Sequence, residues 1–309
     1  MPGQVVVEAR AKLNLGLAVG PRRADGFHDL VTVFQSVSLS DTLRLARRPR
    51  GFTLSVRGED VSVSGGGARR APQAGVPGGA DNLAMRAVRL LAERAGIRGG
   101  AHLTLIKRIP AGAGLGGGSA DAAAALVGLA RLYGIRLGRP ERIELAAALG
   151  SDVPFAVTGG TALGLGRGER LHRLRLARPF RALIAVPTWR VSTASAFARI
   201  DRGKYGLTGW TAKLRSGQSL GREGVTTDRV LRLGNTFESV LGRRRSDFES
   251  LRTRLRAAGA AQPRLTGSGS AVFGILEPGS AVDSVVTRFR GNERLFVVRS
   301  VLGGVRVST

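Results

Sequence analysis

The sequence predicts an α+β protein of two domains, and three observations carry that prediction. The chain has 309 residues, too many for one small core and suited to two of about 150 residues each. Runs of strand character and helix character mix without strict alternation, which argues against a doubly wound parallel sheet. Apolar residues make up 43% of the chain, enough for a real core and against a largely disordered chain.

Residues 5–19 read as a strand followed by a second extended piece. Ala11, Leu13, Leu15 and Leu17 alternate with Lys12, Asn14 and Gly16. Lys12 and Asn14 therefore share one face, opposite the leucines. Asp25-Gly26 signals a turn, and residues 30–38 and 42–57 read as further strands. Residues 64–80, rich in Gly, Ala and Pro and without periodicity, read as a loop. Asp81-Asn82 begins a helix whose Leu83, Ala87, Leu90, Leu91 and Ala95 recur at helical spacing, and Gly96 suits its stop. Residues 102–106 are expected as a short strand, and helices are expected over 120–133 and 140–149, the second closing at Gly150.

Beyond residue 165 the order changes, which sets the expected domains at 1–165 and 166–309. Residues 182–186 read as a strand before a helix near 193–200, and 202–228 as a polar, turn-rich stretch. Phe237, Val240, Leu241, Phe248, Leu251 and Leu255 fit long or paired helices. Strands are expected at 272–276 and 295–298, with a helical link between them.

Composition narrows the function. With no cysteine there is no disulfide, thiolate metal site or cysteine nucleophile, which fits a reducing compartment. Residues 1–8 lack the basic and apolar regions of a signal peptide, and no window approaches the ~18 apolar residues of a membrane span, so a soluble cytoplasmic protein is expected. The net charge of +26 invites a nucleic-acid reading. Against it, the arginines are spread along the chain, with one tight run at 243–245, and no basic stretch is interleaved with stacking rings. A bias toward Arg on solvated faces is the plainer account, and attraction of a phosphorylated substrate is compatible with it. His102 and His172 show no metal-ligand pattern and read as structural.

The most informative segment is Pro110-Ala111-Gly112-Ala113-Gly114-Leu115-Gly116-Gly117-Gly118-Ser119-Ala120, which opens an alanine-rich helix. So many glycines are entropically costly and are tolerated where backbone must approach something closely or take positive φ. The first N–H groups of the helix lack partners and carry partial positive charge, so a phosphate is their natural occupant. Ser119 adds a hydroxyl, a donor or a magnesium-linked oxygen. The segment is not a Walker A loop, because no Lys-Ser/Thr follows its last glycine. It matches the bare Gly-x-Gly-x-x-Gly pattern, but residues 107–110 separate it from the preceding strand, unlike a Rossmann turn.

Pro-x-Gly-x-Gly-Leu-Gly-Gly-Gly-Ser resembles the ATP loop of the galactokinase/homoserine kinase/mevalonate kinase superfamily. Four further stretches resemble, within it, the family of kinases acting on 4-diphosphocytidyl-2-C-methyl-D-erythritol. They are Ala11-Lys12-Leu13-Asn14-Leu15, Arg23-Ala24-Asp25-Gly26-Phe27-His28, Leu149-Gly150-Ser151-Asp152-Val153-Pro154-Phe155 and Leu265-Thr266-Gly267-Ser268-Gly269. Their order and spacing run nearly end to end. The resemblance implies a two-domain superfamily kinase fold with its active site in the interdomain cleft, residues 1–165 forming the ATP-binding domain and 166–309 the C-terminal kinase domain. It also implies ATP with Mg2+ held mostly by phosphates and water, and a small cytidyl substrate.

Carried over residue by residue, the resemblance makes Asp152 the base and Lys12 its cationic partner. The chemistry agrees: an alcohol attacking the γ-phosphorus must lose its proton, and a carboxylate within hydrogen-bond reach can take it. A lysine beside it can stabilise charge developing on the transferred group. Val153-Pro154 is expected to force extended backbone after Asp152 and so aim the carboxylate. A turn aspartate and a solvent-facing strand lysine are the plain alternatives. The resemblance further implies that Phe27 and His28 hold the cytosine by stacking and hydrogen bonding, with Phe197 on its other side. The family usually has tyrosine at the Phe27 position, and phenylalanine keeps the π-face; core packing is the alternative for either phenylalanine. Asn14 is implied at the erythritol or phosphate end, Asn82 near the nucleotide, and Thr266, Gly267, Ser268 and Gly269 as a turn closing over the phosphates. The chain departs from the pattern at 64–79, which looks long and glycine-rich, at the basic 202–228, and at 235–238. The rival readings are a sister kinase for homoserine or mevalonate, and a basic nucleic-acid-binding protein.

Overall fold

Two long strands begin the chain, β1 (Gln4–Arg22) and β2 (His28–Arg48), paired antiparallel along almost their whole length. The computed structural model describes residues 3–63, 69–70, 79–203 and 225–308, and the expected loop at 64–80 and polar stretch at 202–228 lie largely outside them. β3 (Phe52–Asp60) and β4 (Arg69–Arg70) follow, then α1 (Leu83–Arg94) and β5 (Gly100–Lys107). β3 and β5 pair in parallel, which demands a crossover connection, and α1 lies in that connection. α2 (Gly117–Tyr133), α3 (Arg139–Leu149) and α4 (Val153–Thr158) come next, then the hairpin of β6 (Thr161–Gly166) and β7 (Arg170–Leu174). β2 divides its second edge, giving residues 30–35 to β6 and 42–48 to β5.

The second sheet is β8 (Arg181–Val186), β9 (Ala260–Leu265), β10 (Val272–Leu276) and β11 (Arg294–Arg299), in the antiparallel order β11-β8-β10-β9. Between and beside these strands run α5 (Thr193–Arg202), α6 (Thr227–Leu231), α7 (Arg245–Ala257) and α8 (Val282–Arg288). The last strand, β12 (Val305–Ser308), leaves this half and pairs with β1 at the edge of the first sheet. Its approach is tight: a Cβ on Gly159 would lie 1.7 Å from the Gly304 nitrogen.

The larger core lies between the first sheet and helices α1 and α2, and a second core of its own underlies the second sheet. α2 buries alanine nearly all round, from Ala120 to Ala130. Small side chains let it sit close on the sheet; at Gly128 a Cβ would come within 2.5 Å of Leu45.

Several expectations change. The first strand is continuous over Gln4–Arg22, and β2 runs unbroken through residues 39–41, ending before a turn at Gly51. Ser40-Asp41-Thr42 looks like a break because it is polar, yet Asp41 is fully buried and paired. α2 starts at Gly117, three residues before Ala120, so the last glycines form the first helical turn. Val153-Pro154 is helical: Asp152 has φ −85° and ψ −13°, and Pro154 is the second residue of α4. Proline is tolerated there because its missing N–H would have had no helical partner. Residues 236–240 and 242–244 are short 3-10 turns ahead of one α-helix, rather than long paired helices. β6, β7, β9 and β12 had no clear periodic signal.

Candidate active site

The glycine segment is a partition between two cavities. One, of about 320 Å³, is lined by Asp81, Asn82, Leu83, Lys107, Asp121 and every residue from Pro110 to Ser119. The other, of about 380 Å³, is lined by Lys12, Asn14, Phe27, His28, Asp152, Phe197 and the Gly267–Gly269 turn, among others. Gly112, Gly114 and Gly116 line both. Their backbone explains the glycines. Gly114 has φ 83°, and a Cβ there would lie 2.1 Å from the Thr266 carbonyl oxygen; at Gly116, φ 72°, it would strike the Lys12 side chain at 2.9 Å. The wall is therefore bare backbone, with the N-terminus of α2 at one end, where free N–H groups favour an anion.

Lys12 is nearly buried on β1, its backbone N–H donating to Leu115 of the partition at 3.0 Å. Its ammonium donates to Asn14 Oδ1 (2.5 Å), stands 3.5 Å from Asp152 Oδ2 and lies 5.7 Å from the Phe34 ring centroid. Phe34 stacks on Phe155 of α4, so an apolar floor supports the pair from below. Asp152 occupies the N-cap position of α4 but makes no cap hydrogen bond. An N-cap carboxylate ordinarily accepts from the second or third helical N–H. Here the second residue is Pro154, which has none. The proline thus removes one of the two candidate cap donors, the Phe155 N–H being the other, and it does not extend the chain.

Asn14 ties the halves together. Its Nδ2 donates to Thr32 Oγ1 at 2.8 Å, and its Oδ1 also accepts the Gly267 N–H at 2.9 Å. Thr266 is buried behind the cavity, its hydroxyl accepting the Asn14 N–H at 3.1 Å. Ser268 pairs with the Thr193 hydroxyl at 2.8 Å. Asn235, which sequence reasoning left unassigned, fixes this turn: its Nδ2 donates to the carbonyls of Leu265 and Gly267 at 2.9 and 2.8 Å. Glu238 accepts the Leu265 N–H at 2.9 Å.

At the far end of the second cavity, His28 stacks on Phe197 with centroids 5.0 Å apart. That is direct ring contact, with no gap for a base between the two. Nδ1 of His28 donates to the Gly20 carbonyl at 2.9 Å, and Nε2 faces Asp201 Oδ1 at 3.2 Å. Both ring nitrogens thus have protein partners. Asp201 was missed, although Thr193, Phe197 and Asp201 recur every four residues on α5, a spacing that puts them on one helix face. Phe27 is 48% exposed and lies under Arg167, whose guanidinium carbon is 4.6 Å from the ring centroid.

The nucleotide-side residues separate as follows. Asn82 caps α1, its side chain accepting the Ala84 N–H at 2.9 Å. Ala120 does not reach the cavity; it is buried, with its N–H on the Gly116 carbonyl at 2.9 Å. Lys107, another residue the sequence did not single out, is buried between Asp41 and Asp121, with Asp121 Oδ2 at 2.7 Å. Burial would lower its pKa, but the two carboxylates more than offset that and hold it above the ordinary lysine value. Asp41 also accepts the backbone N–H groups of Arg108 and Ile109, while Asp121 Oδ1 has no partner. Burial, and then the charge of Asp41, push Asp121 well above the usual carboxylate range. Among the described residues no three His, Cys, Asp or Glu side chains converge as a metal cage, and no helix is long and apolar enough to cross a membrane.

The chain is similar to known proteins along most of its length. Residues 82–160 match the GHMP kinases N terminal domain. The 4-diphosphocytidyl-2-C-methyl-D-erythritol kinase of Pelotomaculum thermopropionicum is 38% identical over 296 residues, 94% of this chain and 96% of its own length. That of Nocardia farcinica is 38% identical over 99% of this chain and 95% of its own. A crystal structure of 4-(cytidine 5'-diphospho)-2C-methyl-D-erythritol kinase superposes with a TM-score of 0.73 at 33% identity, covering 97% of this chain and 99% of that one. A homoserine kinase from Cytophaga hutchinsonii shares the fold at a TM-score of 0.68 and 19% identity.

Proposed function

The chain belongs to the family of 4-diphosphocytidyl-2-C-methyl-D-erythritol kinases, and from that premise we propose that its two cavities hold ATP and the cytidyl substrate on opposite sides of one glycine wall. The reaction is transfer of the γ-phosphoryl group of ATP to the 2-hydroxyl of 4-diphosphocytidyl-2-C-methyl-D-erythritol, a step of non-mevalonate isoprenoid biosynthesis. The observation that carries the reading is the Lys12–Asp152 pair, 3.5 Å apart in the second cavity, with the Lys12 side chain against Gly116 of the shared wall.

The phosphates lie along Gly112–Ser119, where the free N–H groups of α2 face them. Asp152, left without a cap hydrogen bond, accepts the proton of the hydroxyl as its oxygen attacks the γ-phosphorus. Lys12 faces the negative charge that gathers on the transferring group, and Asn14 holds its ammonium there. The turn at Gly267 closes from the C-terminal half. Cytosine rests on the exposed ring of Phe27, with Phe197 and His28 forming the opposing wall. The donor set fits magnesium brought on the nucleotide: Ser119 Oγ is available at the loop, and among the described residues no acidic cage competes for the ion. When bound, Mg2+ neutralises phosphate charge and orients the γ-phosphoryl group. Residues 1–165 carry the nucleotide loop and the base, and 166–309 carry the closing turn and Phe197. We assign this step to the cytoplasm, where ATP is supplied.

The test is ATP consumption by purified protein with magnesium, comparing the cytidyl substrate with homoserine and mevalonate. Turnover confined to the cytidyl compound is expected. Turnover with another alcohol would keep Asp152 and the glycine wall but remove the base-binding assignment.

A further inference from the structure

Arg167 is a cation of the second cavity that the reaction has not yet used. It stands at the tip of the β6–β7 hairpin between Gly166 (φ 72°) and Gly168 (φ 100°), its backbone N–H fixed on Glu169 Oε2 at 2.6 Å. Its side chain lines the cavity and lies over Phe27, 4.6 Å from the ring centroid. Among the described residues its guanidinium has no ion pair and no side-chain hydrogen bond; its one specific contact is that ring. Lys12, in the same cavity, is by contrast engaged by Asn14 and Asp152 at 2.5 and 3.5 Å. A guanidinium held by a fixed hairpin with its fork of donors free is suited to an anion that matches the fork, and phosphate does.

Phe27 and the Lys12–Asp152 pair line the same cavity but lie apart along the β1–β2 ladder, where Lys12 pairs with Ser36 and His28, next to Phe27, with Arg22. A substrate whose base lies on Phe27 and whose hydroxyl meets Asp152 must carry its diphosphate between them. We propose that Arg167 binds the diphosphate of the substrate while its plane stays on Phe27, and so selects diphosphate-linked cytidyl alcohols. The inference rests on the substrate reading above. It adds a residue to that site and assigns recognition of the anionic linker to a side chain distinct from the phosphate-binding helix.

The experiment is competition against the cytidyl substrate by cytidine, CMP and CDP, in the parent enzyme and in Arg167→Ala and Arg167→Lys. In the parent, inhibition should strengthen from cytidine to CMP to CDP. Arg167→Ala should remove that gradient, raise the KM for the cytidyl substrate about tenfold, as loss of a charge-assisted hydrogen bond implies, and leave kcat, the KM for ATP and inhibition by cytidine as in the parent. Arg167→Lys should restore part of the gradient. A gradient that survives in Arg167→Ala overturns the assignment. So does an equal weakening of cytidine, CMP and CDP, which would make Arg167 a support for the Phe27 ring alone. If none of the three competes with the parent enzyme, the base pocket itself is misplaced, and this inference goes with it.

Discussion

Asp152 keeps its carboxylate off the cap of α4, and the residue two places after it removes one of the two N–H groups that could hold it there. A cap hydrogen bond to α4 would draw it away from the cavity, and with Pro154 at the second helical position only the Phe155 N–H remains to make one. Pro154→Ala restores the donor. The expected result is a kcat lowered about fivefold, since a cap bond is worth about 1 kcal/mol, with the KM for ATP unchanged; an unchanged kcat would mean the carboxylate stays in the cavity for another reason. Asp152→Asn keeps the shape and removes the proton acceptor. Its kcat should fall about 10²–10⁴-fold while a fluorescent ATP analogue still binds, and retained turnover would exclude Asp152 as the base. The sequence displayed both residues, but misassigned how proline helps. Proline's bias on its predecessor is a preference, and the first turn of a helix overrides it because nothing there is lost.

Around α2, the elements show both how much the chain declares and where it stays silent. The glycine segment, the alanine-rich helix and the alternation around Lys12 and Asn14 were legible, because backbone approach and face periodicity leave local marks. The Lys107–Asp41–Asp121 cluster joining β2, β5 and α2 was not legible. Its members are distant in sequence, and Asp41 sits in a polar run that reads as a turn. The same blindness hid Asn235 and Asp201, whose partners lie on other elements. The cluster has a consequence for pH. Asp121 holds its proton more tightly folded than unfolded. Its contribution to stability is therefore complete below the ordinary carboxylate range and is lost as pH rises through its elevated pKa. Asp121→Asn keeps the shape without the titration. Thermal melts should show the variant gaining on the parent as pH rises from 5 to 9, and a constant difference between them would place the proton elsewhere.

For the whole molecule, a net charge of +26 surrounds a cleft meant for two phosphorylated ligands. Such a field raises encounter rates and fades with ionic strength. The association rate constant of the cytidyl substrate, followed by stopped flow, should fall about tenfold from low to high salt; a salt-independent rate would assign the arginines no part in capture. Segments about three hundred residues apart are also joined. Val6–Ala9 of β1 pairs with Val305–Ser308 of β12, across the tight contact of Gly159 with Gly304. During synthesis, then, the first sheet waits for residues 305–308: the nucleotide wall can form early, but its outer strand keeps an open edge until that distant segment emerges.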